Sequence, residues 1–462
     1  MKSTKIKQFS VYGLFGTSDV HIKFDEDIKI LIGENGLGKT QVLNLFYYTL
    51  TKDFFRLNEY NFNKLILIFS NDKSIEISKK SVTELVEETF KHPVVRDVIE
   101  KIGVSQFETL RNQFLSVSKK DRYQLEAKYE DKFRKQYRIP FHFVLRAFEE
   151  LAMMGNSKAT SSVLDKCKKE IADEIKDIDI MYFPTFRRVE EDLHNLGGYG
   201  EDDLNFKQEN TLIQFGMDDV QEAFNTIENT IDKLLKEGLA QFTKDILSVV
   251  IGNQIQTESI FNKITENDLE IILSRVGDLL PDTQKQAVKD IVLGKQLENP
   301  LSAYLLQKLA DIYEKQKELD NSVKVFRDVC NKYLINKQVF YDESGINIFI
   351  KSNLTSDKIQ LKHLSSGEKQ IISIFSKIYL SEANKKFIVL FDEPELSLSM
   401  TWQKQLLPDI INSKKCEFLL AVTHSPFIFD NELDKYAVGL NEYIKIIKKP
   451  LHNDIHRTIK SE

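Results

Sequence analysis

Ile28-Lys29-Ile30-Leu31-Ile32-Gly33-Glu34-Asn35-Gly36-Leu37-Gly38-Lys39-Thr40 is the stretch that decides the fold. From Gly33 onward it fits G-x-x-x-x-G-K-[ST], a phosphate-binding loop. The apolar run before the loop reads as a buried strand, and Gln41 to Leu50 after it reads as an amphipathic helix. A strand that turns sharply into a helix aims backbone N–H groups at one spot, and the helix N-terminus adds positive potential there. The glycines Gly33, Gly36 and Gly38 let the backbone approach a phosphate, with Glu34, Asn35 and Leu37 completing the cradle. Lys39 is expected to bridge the β- and γ-phosphates of ATP, and Thr40 to ligate Mg²⁺.

Three segments far downstream complete the pattern. Phe387 to Phe391 is an apolar run ending in Asp392-Glu393-Pro394-Glu395. A buried strand that delivers carboxylates at its C-terminal end suits an ATPase, because ligands collect at that edge of an open α/β sheet. Asp392 is expected to hold Mg²⁺, and Glu393 to orient or deprotonate the attacking water. Leu364-Ser365-Ser366-Gly367-Glu368-Lys369-Gln370 precedes a helix with Ile371, Ile372, Ile374, Phe375, Ile378 and Tyr379 at helical spacing. One reading is a plain helix cap on Ser366. The other is a second phosphate-binding helix start, in which Ser365, Ser366, Gly367 and Glu368 meet a γ-phosphate from the opposite side. One subunit rarely turns two such helix ends on the same nucleotide, so the second reading predicts ATP sandwiched between two copies. Finally, the apolar run Phe418 to Val422 ends in Thr423-His424-Ser425-Pro426, where His424 is placed to sense the γ-phosphate.

Phosphate loop, LSSGEKQ, FDEPE and THSP, in that order, resemble the ABC-type ATPase superfamily. The nearer likeness is to the branch holding the OLD-like and SMC-like ATPases. The resemblance implies an α/β fold: an ABC-type head with a mixed β-sheet, split by a long, mostly α-helical insertion resembling a coiled-coil arm. It implies ATP and Mg²⁺ as cofactors and a composite site between two subunits. The sequence departs from the superfamily in reading LSSGE for LSGGQ. It also has Leu396-Ser397-Leu398-Ser399 where OLD relatives often carry histidines, and no glutamine loop can be placed by pattern.

With 462 residues the chain is long enough for two or three domains. Its net charge of −6 argues against obligatory nucleic-acid binding, though a local basic patch is compatible with it. Cys167, Cys330 and Cys416 lie far apart and form neither a disulfide framework nor a zinc motif, which points to a reducing cytoplasm. No apolar run reaches the roughly 18 residues of a membrane span. Residues 1–81 read as the strand-rich N-terminal half of the head. Residues 82–335 read as the helical insertion, with a strand returning to the core near 177–190. Residues 336–462 read as the C-terminal half. Lys119 to Tyr137 reads as a solvated helix or hairpin, or as a DNA clamp. Arg187 and Arg188 reach toward a phosphate, a partner's signature turn or solvent. Gly197 to Asp203 reads as an acidic, glycine-rich loop. Residues 217–250 and 299–335 read as long antiparallel helices whose apolar stripe forms either their own core or a partner groove.

Thirty-eight residues follow His424, too few for the TOPRIM domain that OLD-type nucleases carry there, so any nuclease is expected to be a separate protein. The layout resembles the ATPase subunits of two-gene bacterial anti-phage systems of the PARIS type. That resemblance implies a homo-oligomeric sensor and scaffold that holds an AriB-like TOPRIM nuclease and releases it on meeting a phage-encoded trigger, such as a DNA mimic. Septu-type ATPases share the outline. An SMC-like DNA repair or chromosome-organising ATPase, and an energy-coupling subunit of a membrane machine, are the competing readings.

Overall fold

A computed structural model describes residues 5–34, 36–102, 107, 110–111, 129–130, 133–134, 137, 139–154, 159–184, 217–250, 266–275, 282–293 and 300–447. Asn35, Arg187, Arg188, the glycine-rich loop at 197–203 and most of 119–137 lie outside these residues. In chain order the described strands are β1 (Ile6–Leu14), β2 (Ser18–Lys23), β3 (Ile28–Ile32), β4 (Lys64–Phe69), β5 (Ser74–Ser78), β6 (Ile178–Phe183), β7 (Lys337–Asp342), β8 (Asn347–Ser352), β9 (Lys358–Ile359), β10 (Lys386–Asp392), β11 (Cys416–Thr423), β12 (Ala437–Gly439) and β13 (Ile444–Ile446). The described α-helices are α1 (Lys39–Thr51), α2 (Phe54–Asn58), α3 (Lys79–Phe90), α4 (Pro93–Ile102), α5 (Phe141–Met154), α6 (Ala159–Glu174), α7 (Met217–Val250), α8 (Glu266–Arg275), α9 (Asp282–Leu293), α10 (Pro300–Cys330), α11 (Ser366–Tyr379) and α12 (Met400–Asn412). The chain divides into two compact units. The first is Met1–Gln214, Lys386–Pro408 and Cys416–Glu462, and the second is Phe215–Lys385 and Asp409–Lys415.

The first unit holds two sheets of different character. One is antiparallel, in the order β13-β2-β1-β4-β5. Its strands alternate, as in β4, where Leu65, Leu67 and Phe69 are buried and Lys64, Ile66 and Ile68 are less so. That period of two marks a sheet with one face on the core. The other sheet is parallel throughout, in the order β12-β3-β11-β10-β6. Phe387 to Asp392 of β10 and Phe418 to Thr423 of β11 are buried at every position, as strands covered on both faces must be. Helix α1 ties the two sheets together. Its Phe46 ring lies 5.0 Å from Phe9 of β1 and 6.1 Å from Phe418 of β11. Emptying a site of that size costs about 3–5 kcal/mol.

The parallel register brings the strand ends level: Thr423 pairs with Ile32, Asp392 with Val422, and Phe391 with Phe183. The phosphate loop, the acidic turn and His424 therefore leave the sheet at one edge, with β11 between β3 and β10.

The second unit carries the antiparallel sheet β7-β8-β9 and the long helices. Helices α7 and α10 run in opposite directions. Phe224 meets Phe326 at 5.7 Å, a Cβ on Gly238 would come within 2.7 Å of Ile312, and Lys308 pairs with Asp245 at 3.1 Å. The apolar stripe is largely the arm's own core, with Val220, Phe224, Ile227, Ile231, Ile312, Val323 and Phe326 all buried. The α/β head with its helical insertion is what the structure shows, with the strands apportioned among separate parallel and antiparallel sheets.

Candidate nucleotide site

The phosphate loop owes its shape to two glycines in the left-handed region, Gly36 at φ +90° and Gly38 at φ +82°. Gly38 is the N-cap of α1, and no side chain caps that helix. Its first-turn amides are thus left to an anionic ligand. A Cβ on Gly38 would lie 2.9 Å from the Phe15 ring, and its φ of +82° would strain any larger residue there.

Lys39 is 6% exposed, and its Nζ donates to the carbonyl oxygens of Gly33 at 2.7 Å and Glu34 at 3.0 Å. It also lies 2.6 Å from Nε2 of His424. The three contacts tie the lysine to both the phosphate loop and the histidine loop. Burial lowers the Lys39 pKa, even with Glu393, Asp392 and Glu395 nearby to support the charge.

Thr40 Oγ1 donates to Asp392 Oδ1 at 3.0 Å, joining the start of α1 to the end of β10. A hydroxyl and a carboxylate converging on one point are the hard oxygen donors that Mg²⁺ prefers, so this pair fits that ion. The neighbouring Glu393 has φ +53°, a left-handed conformation that costs a non-glycine residue about 1–3 kcal/mol. Its N–H donates to Val422 O at 2.8 Å, which holds the strained residue against β11. Burial raises the Glu393 pKa first, and Asp392 and Glu395 add to the rise, against the opposing pull of His424 and Lys39. Its Oε1 lies 3.7 Å from His424 Nε2. A carboxylate of raised basicity, held in a strained turn beside His424, is suited to take a proton from water.

Three residues were not assigned roles from sequence. Glu395 accepts from Thr423 Oγ1 at 2.8 Å, His424 N at 2.8 Å and Ser425 N at 3.2 Å, and so sets the course of the histidine loop. The signal was present, since Glu395 closes the quoted Asp-Glu-Pro-Glu run. Gln403 of α12 supports it from behind: it donates to Leu398 O at 2.9 Å and accepts from Ser425 Oγ at 2.6 Å. Phe15, between β1 and β2, is 47% exposed at φ +55° and leaves a flat apolar ring beside Gly38. No sequence pattern announced it.

The signature turn belongs to the second unit. Its cap is Ser365, one residue before the expected Ser366. Ser365 is extended at φ −65°, ψ 162°, and its Oγ accepts from Glu368 N at 3.4 Å. Glu368 Oε2 accepts in return from Ser365 N at 2.8 Å, closing a capping box. Ser366 opens α11, half-buried, and is followed by the buried Gly367.

The sequence profile of the AAA ATPase domain family matches residues 5–429. No curated protein matches the chain. Among solved structures, the chain is similar to an Smc head bound to the C-winged helix domain of ScpA, at 9% identity and TM-score 0.35, over 97% of this chain and 98% of that one. It is also similar to a Pyrococcus furiosus Smc head with an extended coiled coil, bound to the C-terminal domain of ScpA, at 10% identity and TM-score 0.35, over 96% of each chain. A Pyrococcus yayanosii Smc head with a coiled coil and joint matches at 11% identity and TM-score 0.32, over 97% of each chain. Likeness at this level leaves the architecture to be read from the strands themselves. Among the described residues, no helix is long and apolar enough to cross a membrane.

Proposed function

The chain belongs to the AAA ATPase domain family, and from that premise we propose that it hydrolyses ATP in a site completed by a second copy of itself. The observation that carries the reading is the meeting of Lys39, Thr40, Asp392, Glu393 and His424 at one sheet edge, delivered by β3, β10 and β11. On nucleotide binding, Lys39 leaves the carbonyls of Gly33 and Glu34 for the β- and γ-phosphates. Thr40 and Asp392 would hold Mg²⁺, which would supply charge neutralisation on the phosphates. Glu393 accepts the proton of the attacking water, and His424, released from Lys39, turns to the γ-phosphate. Ser366 and Gly367 of the partner copy close the site from the far side.

The reading continues to a cytoplasmic sensor and scaffold of anti-phage defence, most similar to AriA of the PARIS system. That assignment rests on the order of phosphate loop, LSSGEKQ, FDEPE and THSP around a helical insertion. The implied partners are further copies of the chain, a separate TOPRIM nuclease resembling AriB, and a phage-encoded trigger protein. Co-purification from the native host tests this layer: a TOPRIM nuclease supports it, and duplex DNA in its place favours the SMC-like alternative.

The shared site is tested in the Glu393→Gln background, where hydrolysis is expected to fall by roughly 10²- to 10⁴-fold and ATP to trap dimers. Adding Ser366→Arg should leave ATP binding by single protomers intact and abolish ATP-dependent association by sedimentation. Normal association in that variant refutes the shared site.

A further inference from the structure

Glu368 does more than cap α11. Its carboxylate receives Ser365 N and Ser365 Oγ on Oε2, at 2.8 and 2.9 Å, and Lys337 Nζ on both oxygens, at 2.8 Å each. Lys337 lies 28 residues before Ser365, at the first position of β7. This one side chain therefore ties the signature turn to the small sheet.

The strand that carries it is held along its length. Asn331 clamps Val339 on both backbone groups, accepting its N–H at 2.7 Å and donating to its carbonyl at 3.1 Å. At the far end, the Tyr341 hydroxyl bonds Asp320 of α10, whose Oδ1 also accepts Arg275 Nη2 of α8 at 2.7 Å. Arg275 further donates to Gln316 Oε1 at 2.5 Å and to Glu343 O at 2.9 Å. The Arg275 and Asp320 side chains are 1% and 0% exposed, and removing one partner of a pair buried to that depth leaves an uncompensated charge. The base from which Lys337 reaches Glu368 is thus rigid, which is what a precisely placed turn requires.

The two serines of the turn are also distinguished. Ser365 Oγ donates to Glu368 Oε2 and accepts from Glu368 N, so its proton is spent within the turn. The hydroxyl left for a ligand is that of Ser366.

We propose that Lys337 is a positioning residue for the signature turn: by holding the Glu368 carboxylate it fixes Ser365 as cap and presents Ser366 and Gly367 to the nucleotide of a second copy. This rests on the shared-site reading above. Lys337 touches no nucleotide; it acts through Glu368.

The test compares Lys337→Met, Lys337→Arg, Glu368→Gln and Ser366→Arg in the full chain carrying Glu393→Gln. ATP-dependent association is read by sedimentation, and ATP binding by single protomers is read with a fluorescent ATP analogue. Lys337→Met should weaken association roughly ten- to a hundredfold, the worth of a charge-assisted hydrogen bond, with protomer binding unchanged. Lys337→Arg, which keeps the charge and both contacts, should restore it. Glu368→Gln removes the negative charge and one of the two acceptor oxygens that Lys337 holds, and should weaken association as Lys337→Met does, so one soluble variant of the two suffices. Wild-type association in Lys337→Met or Glu368→Gln, while Ser366→Arg is blocked, overturns the inference alone. Failure of Lys337→Arg to rescue also overturns it. Normal association in Ser366→Arg overturns the shared site itself.

Discussion

Glu393, half-buried in the acidic turn, and Glu368, buried in the first turn of α11, are treated by their surroundings in opposite ways. Glu393 sits at φ +53°, beside Asp392 and Glu395, and burial together with those neighbours pushes its pKa up. Burial would push Glu368 up too, but Lys337 and the Ser365 hydrogen bonds outweigh it and hold the carboxyl below its ordinary value. Glu368 also completes a capping box, so the turn's own backbone is satisfied. The edge where Lys39, Asp392 and Glu393 meet is therefore a place of unmet electrostatic demand, and the signature turn a place where demand is met. An edge of the first kind gains most when a polyanion and its cation arrive. A turn of the second kind is held rigid by its own contacts.

Lys39→Ala should show the largest effect. It removes the cation that makes two contacts within the loop and one to His424, and that faces three carboxylates. ATP affinity, measured by calorimetry, should fall more than about a hundredfold, because a charge-assisted contact to phosphate is lost in a partly desolvated place. Retained affinity would mean the edge is not where the nucleotide binds, and the contrast with the signature turn would lose its meaning.

Glu395→Gln should come next. A carboxamide keeps one acceptor oxygen, whereas Glu395 uses both of its oxygens to collect Thr423 Oγ1, His424 N and Ser425 N. The histidine loop should loosen, with single-turnover hydrolysis slowed roughly tenfold and ATP affinity nearly unchanged. Equal loss of both would make Glu395 part of the binding surface rather than a support for His424.

Much of this edge was legible in the sequence because motifs mark strand ends. Ile28 to Ile32, Phe387 to Phe391 and Phe418 to Val422 are apolar runs, and each hands a polar group to the same side of a parallel sheet. The strand at Ile178–Phe183 was legible for the same reason. The short strands Ala437–Gly439 and Ile444–Ile446 were not, because a three-residue run carries no period. Ser365 was missed as the cap because Ser365-Ser366 offers two candidates, and the choice is made by Glu368 falling at the third helical position after Ser365. Phe15 and Lys337 were invisible because their partners, Gly38 and Glu368, lie 23 and 31 residues away.

The smallest expected effects give the sharpest contrast, because they differ in sign. Ser365→Ala removes a cap and should destabilise the second unit by about 1 kcal/mol. Glu393→Gly relieves a positive φ and a carboxylate whose charge burial disfavours, and should stabilise the first unit by about 1 kcal/mol while removing hydrolysis. The pH dependence separates the causes. Glu393 has a folded pKa above its unfolded one, so the favourable contribution of its neutral form is complete at low pH and is lost as pH rises through the folded value. The part of the Glu393→Gly gain that comes from charge should therefore be present at neutral pH and vanish below the ordinary carboxylate range, leaving only the backbone term. Glu368 is the reverse: its contribution is present above the ordinary carboxylate pKa and fades as pH falls through its lower folded value. Acid should thus weaken the signature turn while relaxing the catalytic edge, and chemical denaturation of both variants from neutral pH downward reads the two slopes. Parallel slopes would show that the two glutamates are not differently held.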